Sequence, residues 1–266
     1  MNLQNKLRGL KEIWQFDNRL WLIFAKFFSP RSPLLIYQFK GMDILTDQSA
    51  GDANGAREIL TSPMYRRFLP QMKLAGAINV LDLGANNGGF PLLLHAAGIS
   101  LKKVVSIELN PKTFTRLRFN LERNLPCRVI ALNAALCGES GFLKVALGAG
   151  SVADSIYQNG ETGETGDAQI YEVEGLTFDE IWQRYFTDET IDLCKIDVEG
   201  AEFDVFLRAE HQKLRHCRYL IMEIHERDGR RAGEILPAIE SLGLVRQPTA
   251  PDADQAVHFF INSRFE

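Results

Sequence analysis

Long apolar runs are missing from this chain of 266 residues. No stretch approaches the roughly 18 uncharged apolar residues that a spanning helix requires, so a membrane-crossing segment is not expected. Cysteine is sparse: Cys127, Cys137, Cys194 and Cys217 are widely spaced and form no C-x-x-C pair. That spacing speaks against a zinc ribbon or a thioredoxin motif. It predicts scattered thiols in a reducing compartment, hence a cytoplasmic protein. Basic charge is not in excess, with 30 Lys and Arg against 34 Asp and Glu and a formal net charge of -4. A broad non-specific nucleic-acid binder is therefore not expected. Met1–Lys11 lacks a continuous apolar core and a small-residue cleavage site, so it does not read as a signal peptide. Internal repeats and long low-complexity tracts are absent too. What is present, 45% hydrophobic and 24% charged residues, suits a globular enzyme. The length permits one large α/β domain with or without an extension.

Charge is unevenly spread. The first 40 residues carry seven basic side chains and two acidic ones. Leu3, Leu7, Leu10, Trp14, Leu20, Trp21, Phe24 and Phe28 recur at roughly helical spacing, which predicts a helix to about Phe28, broken by Pro30 and Pro33. Such a basic aromatic helix suits peripheral contact through residues 1–30 with the inner face of a membrane. The plainer alternative is packing on its own domain or on a partner subunit of an oligomer. Residues 41–75 read as a connector, with a strand near Asp43–Thr46, the turn Gly51-Asp-Ala-Asn-Gly55, a helix from about Ala56, and a second short helix after Ser62-Pro63. Residues 1–75 are thus an N-terminal helical extension and leader, and 76–266 the main domain.

From Ile78 onward strand, turn and helix alternate. Strands are expected at Val80–Leu83, Val104–Leu109, Arg128–Leu132, Ile191–Asp197, Tyr219–Ile224 and Ala256–Asn262, with Phe142–Leu147 in a side hairpin. Helices are expected at Phe90–Ala97, from the Asn110-Pro111 cap to about Asn124, from the capping box at Thr177 to about Tyr185, at Ala201–Ala209 and at Ala232–Leu242. Ser151–Ala168 reads as a polar, glycine-rich mobile loop that helps shape an acceptor pocket. The alternation defines an α/β fold, a Rossmann-like, mostly parallel sheet with helices on both faces.

The strongest local signal is Val80-Leu-Asp-Leu-Gly-Ala-Asn-Asn-Gly-Gly-Phe90. An apolar strand runs into a glycine turn and then a helix, with free N–H groups at the helix start. Gly84 gives bare backbone for a ligand to approach, flanked by Ala85 and Asn86. Gly88 permits close approach at the helix, and Asp82 is placed to bind a ligand amine or to order the turn. After Gly84 and Ala85, Asn86 stands where the dinucleotide fingerprint needs its second glycine, which counts against a nicotinamide oxidoreductase. No Gly-Lys-Ser/Thr follows, so the turn is not a P-loop. S-adenosylmethionine carries no phosphate and needs contact surface and a carboxylate instead. Glu108, twenty residues after Gly88, ends the next strand where a carboxylate accepts hydrogen bonds from ribose hydroxyls. Asn133-Ala134-Ala135, after the third strand, are candidates to face the adenine.

A second cluster follows, Ile191-Asp-Leu-Cys-Lys-Ile-Asp-Val-Glu-Gly-Ala-Glu202, and then Met222-Glu-Ile-His225. If their strands are neighbours, Asp197, Glu199, Glu223 and His225 form one polar rim beyond the strand ends. That rim has three uses open to it. One is general-base chemistry with His225 and Glu223, or with Asp197. Another is a divalent metal site from Asp197, Glu199, Glu223 and His225. The last is helix capping, above all by Glu199 and Glu202. Lys195, alternating with Asp197, is placed to pair with a carboxylate.

Val80–Phe90, Ser106–Pro111, Asn133–Leu136, Leu176–Ile181 and Asp192–Phe206 together resemble the FkbM family of S-adenosylmethionine-dependent methyltransferases. The run Lys195-Ile-Asp-Val-Glu-Gly-Ala-Glu202 followed by Met222-Glu-Ile-His225 is its most specific part, and the resemblance covers about residues 76–246. Ala50–Glu58 is similar to a leader seen in one branch of the family. The resemblance implies a seven-stranded Rossmann-like sheet with the last strand antiparallel. It also implies methyl transfer to a hydroxyl of a sugar, glycan precursor or polyketide-type metabolite. It matches Gly84, Asn86 and Glu108 to the cofactor motifs and Asp197 to the motif facing the methyl group. Asn110 before Pro111 departs from many members, and the basic N-terminal segment lies outside the shared pattern. The competing reading is a non-catalytic Rossmann-like binding or membrane-associated module.

Overall fold

The computed structural model describes residues 9–28, 33–49, 52, 55–147, 169–207, 211–250 and 253–265. A turn of helix at residues 9–13 precedes α1 (Arg19–Phe28), and the hairpin β1 (Leu34–Phe39) and β2 (Met42–Asp47) follows. Then come α2 (Ala56–Thr61), a 3-10 turn at Arg66–Gln71, β3 (Ile78–Leu83), α3 (Gly89–Ala96), β4 (Leu101–Glu108) and α4 (Pro111–Asn124). The chain continues through β5 (Arg128–Leu136), β6 (Gly141–Leu147), β7 (Gln169–Leu176), α5 (Phe178–Tyr185), β8 (Ile191–Ile196) and α6 (Glu202–Phe206). It ends with β9 (Cys217–Glu223), α7 (Leu236–Glu240), β10 (Leu244–Arg246) and β11 (Val257–Asn262).

The main sheet has nine strands in the order β10-β11-β9-β8-β3-β4-β5-β7-β6. Strands β9, β8, β3, β4, β5 and β7 are mutually parallel, and β11 runs antiparallel to β9. Six strands, β3, β4, β5, β8, β9 and β11, stand where the sequence placed them; β10 at one edge and the antiparallel pair β6–β7 at the other bring the sheet to nine strands where seven were expected. All six residues of β3 are buried, as a strand covered on both faces requires. From β3 the chain builds outward through β4 and β5. It then returns to lay β8 against the other side of β3. The strand order therefore reverses between β3 and β8, and the crevice beyond their carboxyl ends is where such sheets bind ligands.

Local sequence fixes several boundaries. Asn110 caps α4, its side chain accepting from Lys112 N–H at 2.9 Å, with Pro111 in the first turn. Thr177 and Glu180 form a reciprocal capping box on α5.

Elsewhere tertiary contacts override local pattern. The N-terminal apolar pattern does not make one helix: the chain turns at residues 14–18. Phe16 is fully buried there, with ring centroids 4.9 Å from Tyr37 and 5.5 Å from Phe39. Asn18 bonds the Ile36 carbonyl and the Gln38 N–H, so pairing with β1 wins over helix continuation. The third strand of the domain runs to Leu136, which places Asn133, Ala134 and Ala135 within β5 rather than after it. The expected helix at Ala232–Leu242 is split into a 3-10 turn at Ala232–Glu234 and the short α7. Strands β1, β7 and β10 were not foreseen. The expected loop Ser151–Ala168, the ends of the helices expected from residue 1 and to Ala209, and Gly51, Ala53 and Asn54 lie outside the described residues.

The leader is bound to the domain by polar contacts at its edge. Asn120 of α4 accepts from Leu45 N–H at 2.7 Å and donates to Leu45 O at 3.0 Å, and Asn124 does the same for Asp43 at 2.9 and 2.8 Å. Two asparagines thus stand in for a strand along the free edge of β2 and satisfy groups that would otherwise seek another chain. The Arg116 guanidinium holds the buried Asp52 carboxylate through two nitrogens. Asn87, in the glycine turn, accepts from the first N–H of α2 at 2.7 Å.

Candidate active site

A cavity of about 290 Å³ opens at the switch point between β3 and β8. Its walls come from the strand ends (Gly84, Ile107, Glu108, Lys195, Asp197, Glu223), from β5 (Ala134–Leu136) and from the leader (Gly55, Glu58, Ile59, Met64, Tyr65). Gly84 adopts φ +73°, and a Cβ built there would lie 1.7 Å from the Asp197 carbonyl oxygen. Only glycine fits this point. Glu108 is held on both oxygens, accepting from Asn86 N–H at 2.9 Å and Asn110 N–H at 2.8 Å. The carboxylate is thereby fixed at the cavity wall. Asn86, itself at φ +48°, lies beside it.

Beneath the cavity runs a buried charge pair. The Lys195 ammonium sits 3.3 Å from Asp82, 3.3 Å from Asp197 and 2.9 Å from the Gly84 carbonyl to which it donates. Burial works against the lysine's charge, but Asp197 and Asp82 outweigh it and raise its pKa above the ordinary value. Burial raises the Asp82 carboxyl in turn, with Lys195 opposing.

The reactive-looking cluster lies above. Asp197 follows β8, Glu223 ends β9, and the two strands are neighbours. The expected rim therefore exists. The buried Tyr65 hydroxyl faces both carboxylates, 3.1 Å from Asp197 Oδ2 and 3.3 Å from Glu223 Oε2. Burial, and then the charges of Asp197 and Glu223, push the phenol well above its usual pKa, so it stays a donor. His225 Nδ1 bonds Glu202 Oε1 at 2.9 Å. Its Nε2 faces Glu199 Oε2 and Glu223 Oε1 at 3.6 Å and Asp197 Oδ1 at 3.8 Å. Burial disfavours the imidazolium, yet the Glu202 hydrogen bond and the surrounding carboxylates raise its pKa to about 9. Glu223 is raised too, to about 7, because burial and the nearby Asp197 charge disfavour its ionised form. Burial also raises Glu199. Asp197, Glu223 and His225 can each offer one metal-ligand atom within 4.8 Å of the others.

Of the residues singled out in the sequence, Gly84, Asn86, Glu108, Asp197, Glu199 and Glu223 line the cavity. Four others do a different job from a ligand contact. Asp82 is fully buried against Lys195 and orders the turn; it is not presented to a ligand amine. Gly88 faces Leu117 and Leu121 of α4, and Ala85 is 2% exposed, tied by its N–H to Ile107 O at 2.9 Å. Asn133 spends its amide on the Glu108 and Leu109 carbonyls, while its neighbours Ala134 and Ala135 face the cavity. His225 stands behind the carboxylates. Sequence reasoning missed Tyr65, 132 residues from Asp197, and it missed Glu202 as the anchor of His225.

A glycine turn, a pinned strand-end carboxylate and an acidic rim at the switch point define a Rossmann-like domain with a nucleotide-type cleft. The family model of the methyltransferase FkbM domain matches residues 82–246, and the chain belongs to that family. Comparison with curated proteins gives no match. Among solved structures the chain is similar to the FkbM methyltransferase of Methylobacillus flagellatus KT, at 14% identity and a TM-score of 0.47. That similarity covers 74% of this chain and 47% of the other, so the chain spans about half of that relative. Aeropyrum pernix fibrillarin, solved with S-adenosyl-L-methionine bound, is similar over 86% of this chain and 82% of its own, at 14% identity and a TM-score of 0.40. A methyltransferase from Aquifex aeolicus matches over 77% and 90%, at 14% identity and 0.37.

Proposed function

We propose that this methyltransferase takes its methyl group from S-adenosylmethionine and delivers it to a hydroxyl oxygen of a sugar, glycan precursor or polyketide-type metabolite. The observation carrying this reading is that one cavity is lined both by the pinned Glu108 and by the Asp197–Glu223 pair. The residues suit the cofactor. Glu108 sets a carboxylate on the cavity wall at the strand end where ribose hydroxyls bind, Ile107, Leu109 and Ala134–Leu136 offer apolar surface to an adenine, and Gly84 leaves the backbone bare. Bound S-adenosylmethionine supplies a sulfonium methyl with a good leaving group, so alignment of the acceptor provides much of the acceleration.

An alcohol attacks well only as it loses its proton, and a positioned base contributes about 10²–10⁴-fold. His225 is a cation at neutral pH, which supports giving it a charge-balancing role. Glu223, with a pKa of about 7 and a place on the cavity wall, is the better base. Asp197 then faces the reacting end, and Tyr65 orients both carboxylates.

A second reading rests on the spacing around His225. With Nδ1 held by Glu202, Nε2 faces three carboxylate oxygens at 3.6–3.8 Å, which a proton or a divalent cation between them would satisfy. Asp197, Glu223 and His225 would hold such a cation, which would lower the hydroxyl pKa.

The test is transfer of labelled methyl from S-adenosylmethionine to a panel of hydroxylated glycans and metabolites, before and after chelation. Label in an ether, lost in Asp197→Ala, supports the proposal. Label on nitrogen or carbon, or full activity of Asp197→Ala, rejects it. Activity unchanged by chelation sinks the metal reading.

A further inference from the structure

We propose that the outward face of α1 docks on an anionic phospholipid surface. The helix packs inward through the buried Leu22 and Ala25. Its other face carries Leu20 at 73% exposure and Phe28 at 72%, with Trp21 and Phe24 exposed between them. Trp21 stacks on Phe24 at 5.8 Å and Phe24 on Phe28 at 4.6 Å, which makes one continuous aromatic stripe. Trp14, just before the helix, is also exposed, with the Arg19 guanidinium over its ring. A contiguous apolar face of this size normally has a partner.

Composition and charge point to a bilayer. The helix has no acidic residue, and its only charges, Arg19 and Lys26, are exposed cations. The first 40 residues are strongly basic within a chain of net charge -4. An anionic surface therefore attracts this end and repels the remainder, which orients the molecule. Tryptophan and phenylalanine flanked by cations are the side chains that settle at the headgroup boundary. Ten residues span about 15 Å, too short to cross, so the helix lies in the plane of the interface. No helix among the described residues is long and apolar enough to cross a membrane.

The experiment is co-sedimentation of the full chain with phosphatidylcholine vesicles, with and without phosphatidylglycerol, across salt concentrations. The expected result is binding at least about tenfold tighter to the anionic vesicles, weakened by salt. The triple variant Trp21→Ser, Phe24→Ser, Phe28→Ser should lose that binding and keep the parent's unfolding midpoint. Charge reversal by Arg19→Glu with Lys26→Glu should weaken it in low salt. No vesicle binding, equal binding to neutral vesicles, or undiminished binding by the triple variant would overturn the proposal. So would a dimer in sedimentation that the triple variant abolishes without any vesicle binding, which would assign the face to a second copy.

Discussion

Glu223 and His225 lie two residues apart, and the same surroundings push their proton affinities up for opposite reasons. Glu223 is raised to about 7 by burial and by Asp197, so it is anionic only above neutrality. The rate should rise through pH 7 with one ionisation. Glu223→Gln should abolish that limb and lower kcat by about 10²–10⁴-fold; a variant with the parent's pH profile would remove Glu223 from the base role. Tyr65→Phe deletes a hydrogen bond that favours the ionised carboxylate, so the limb should move to higher pH while cofactor affinity stays the same. His225 contributes to stability as well. Its folded pKa of about 9 exceeds the ordinary value, so its contribution is complete below about pH 6.5 and is lost as pH rises through 9. Because it remains partly exposed, the loss is of order 2–3 kcal/mol. Urea unfolding with chelator at pH 7 and pH 9 should show the parent losing about 2 kcal/mol more than His225→Gln; equal losses would contradict the charge assignment. The sequence showed Asp197, Glu223 and His225 because strand ends announce themselves. Tyr65 was invisible, since only the docking of the leader brings it beside Asp197. Asp82 had two readings open in the sequence, and its buried partner Lys195, on a different strand, decides for ordering the turn.

Elements were legible where local chemistry decides and illegible where pairing does. The Asn110 and Thr177 caps, the apolar β3 and the start of α2 follow from short stretches of sequence. Strand β7 could not be read alone, because it is made by its register with β5 and β6. The N-terminal apolar pattern fitted a long helix until Phe16 found Tyr37 and Phe39. The most exacting junction joins the ends of β3 and β8, where Asp197 N–H bonds Leu83 O at 3.0 Å over the bare Gly84. Gly84→Ala would force a Cβ into the Asp197 carbonyl at φ +73°. We expect a loss of more than about 3 kcal/mol in urea unfolding. A loss below about 1 kcal/mol would show that the two strand ends tolerate separation.

At the scale of the whole molecule, the division into leader and domain read from the sequence understates how they are joined. The leader supplies Gly55, Glu58, Ile59, Met64 and Tyr65 to the cavity, and β2 leans on the asparagines of α4. Removing residues 1–75 would therefore strip one wall from the site and uncover Ile59 and Leu60 contacts of the core. The mostly parallel sheet was legible in the alternation and the family resemblance, whereas its strand order was not, and the reversal at β3 explains why residues from 55 to 223 meet in one cleft. In the proposed function this cleft holds S-adenosylmethionine with its ribose on Glu108. Calorimetric titration of the full chain and of Glu108→Ala tests it most directly. The expected result is one site of micromolar affinity in the parent and at least about tenfold weaker binding in the variant, the cost of one or two lost charge-assisted hydrogen bonds. No binding by a folded parent, or equal affinity in the variant, would contradict it.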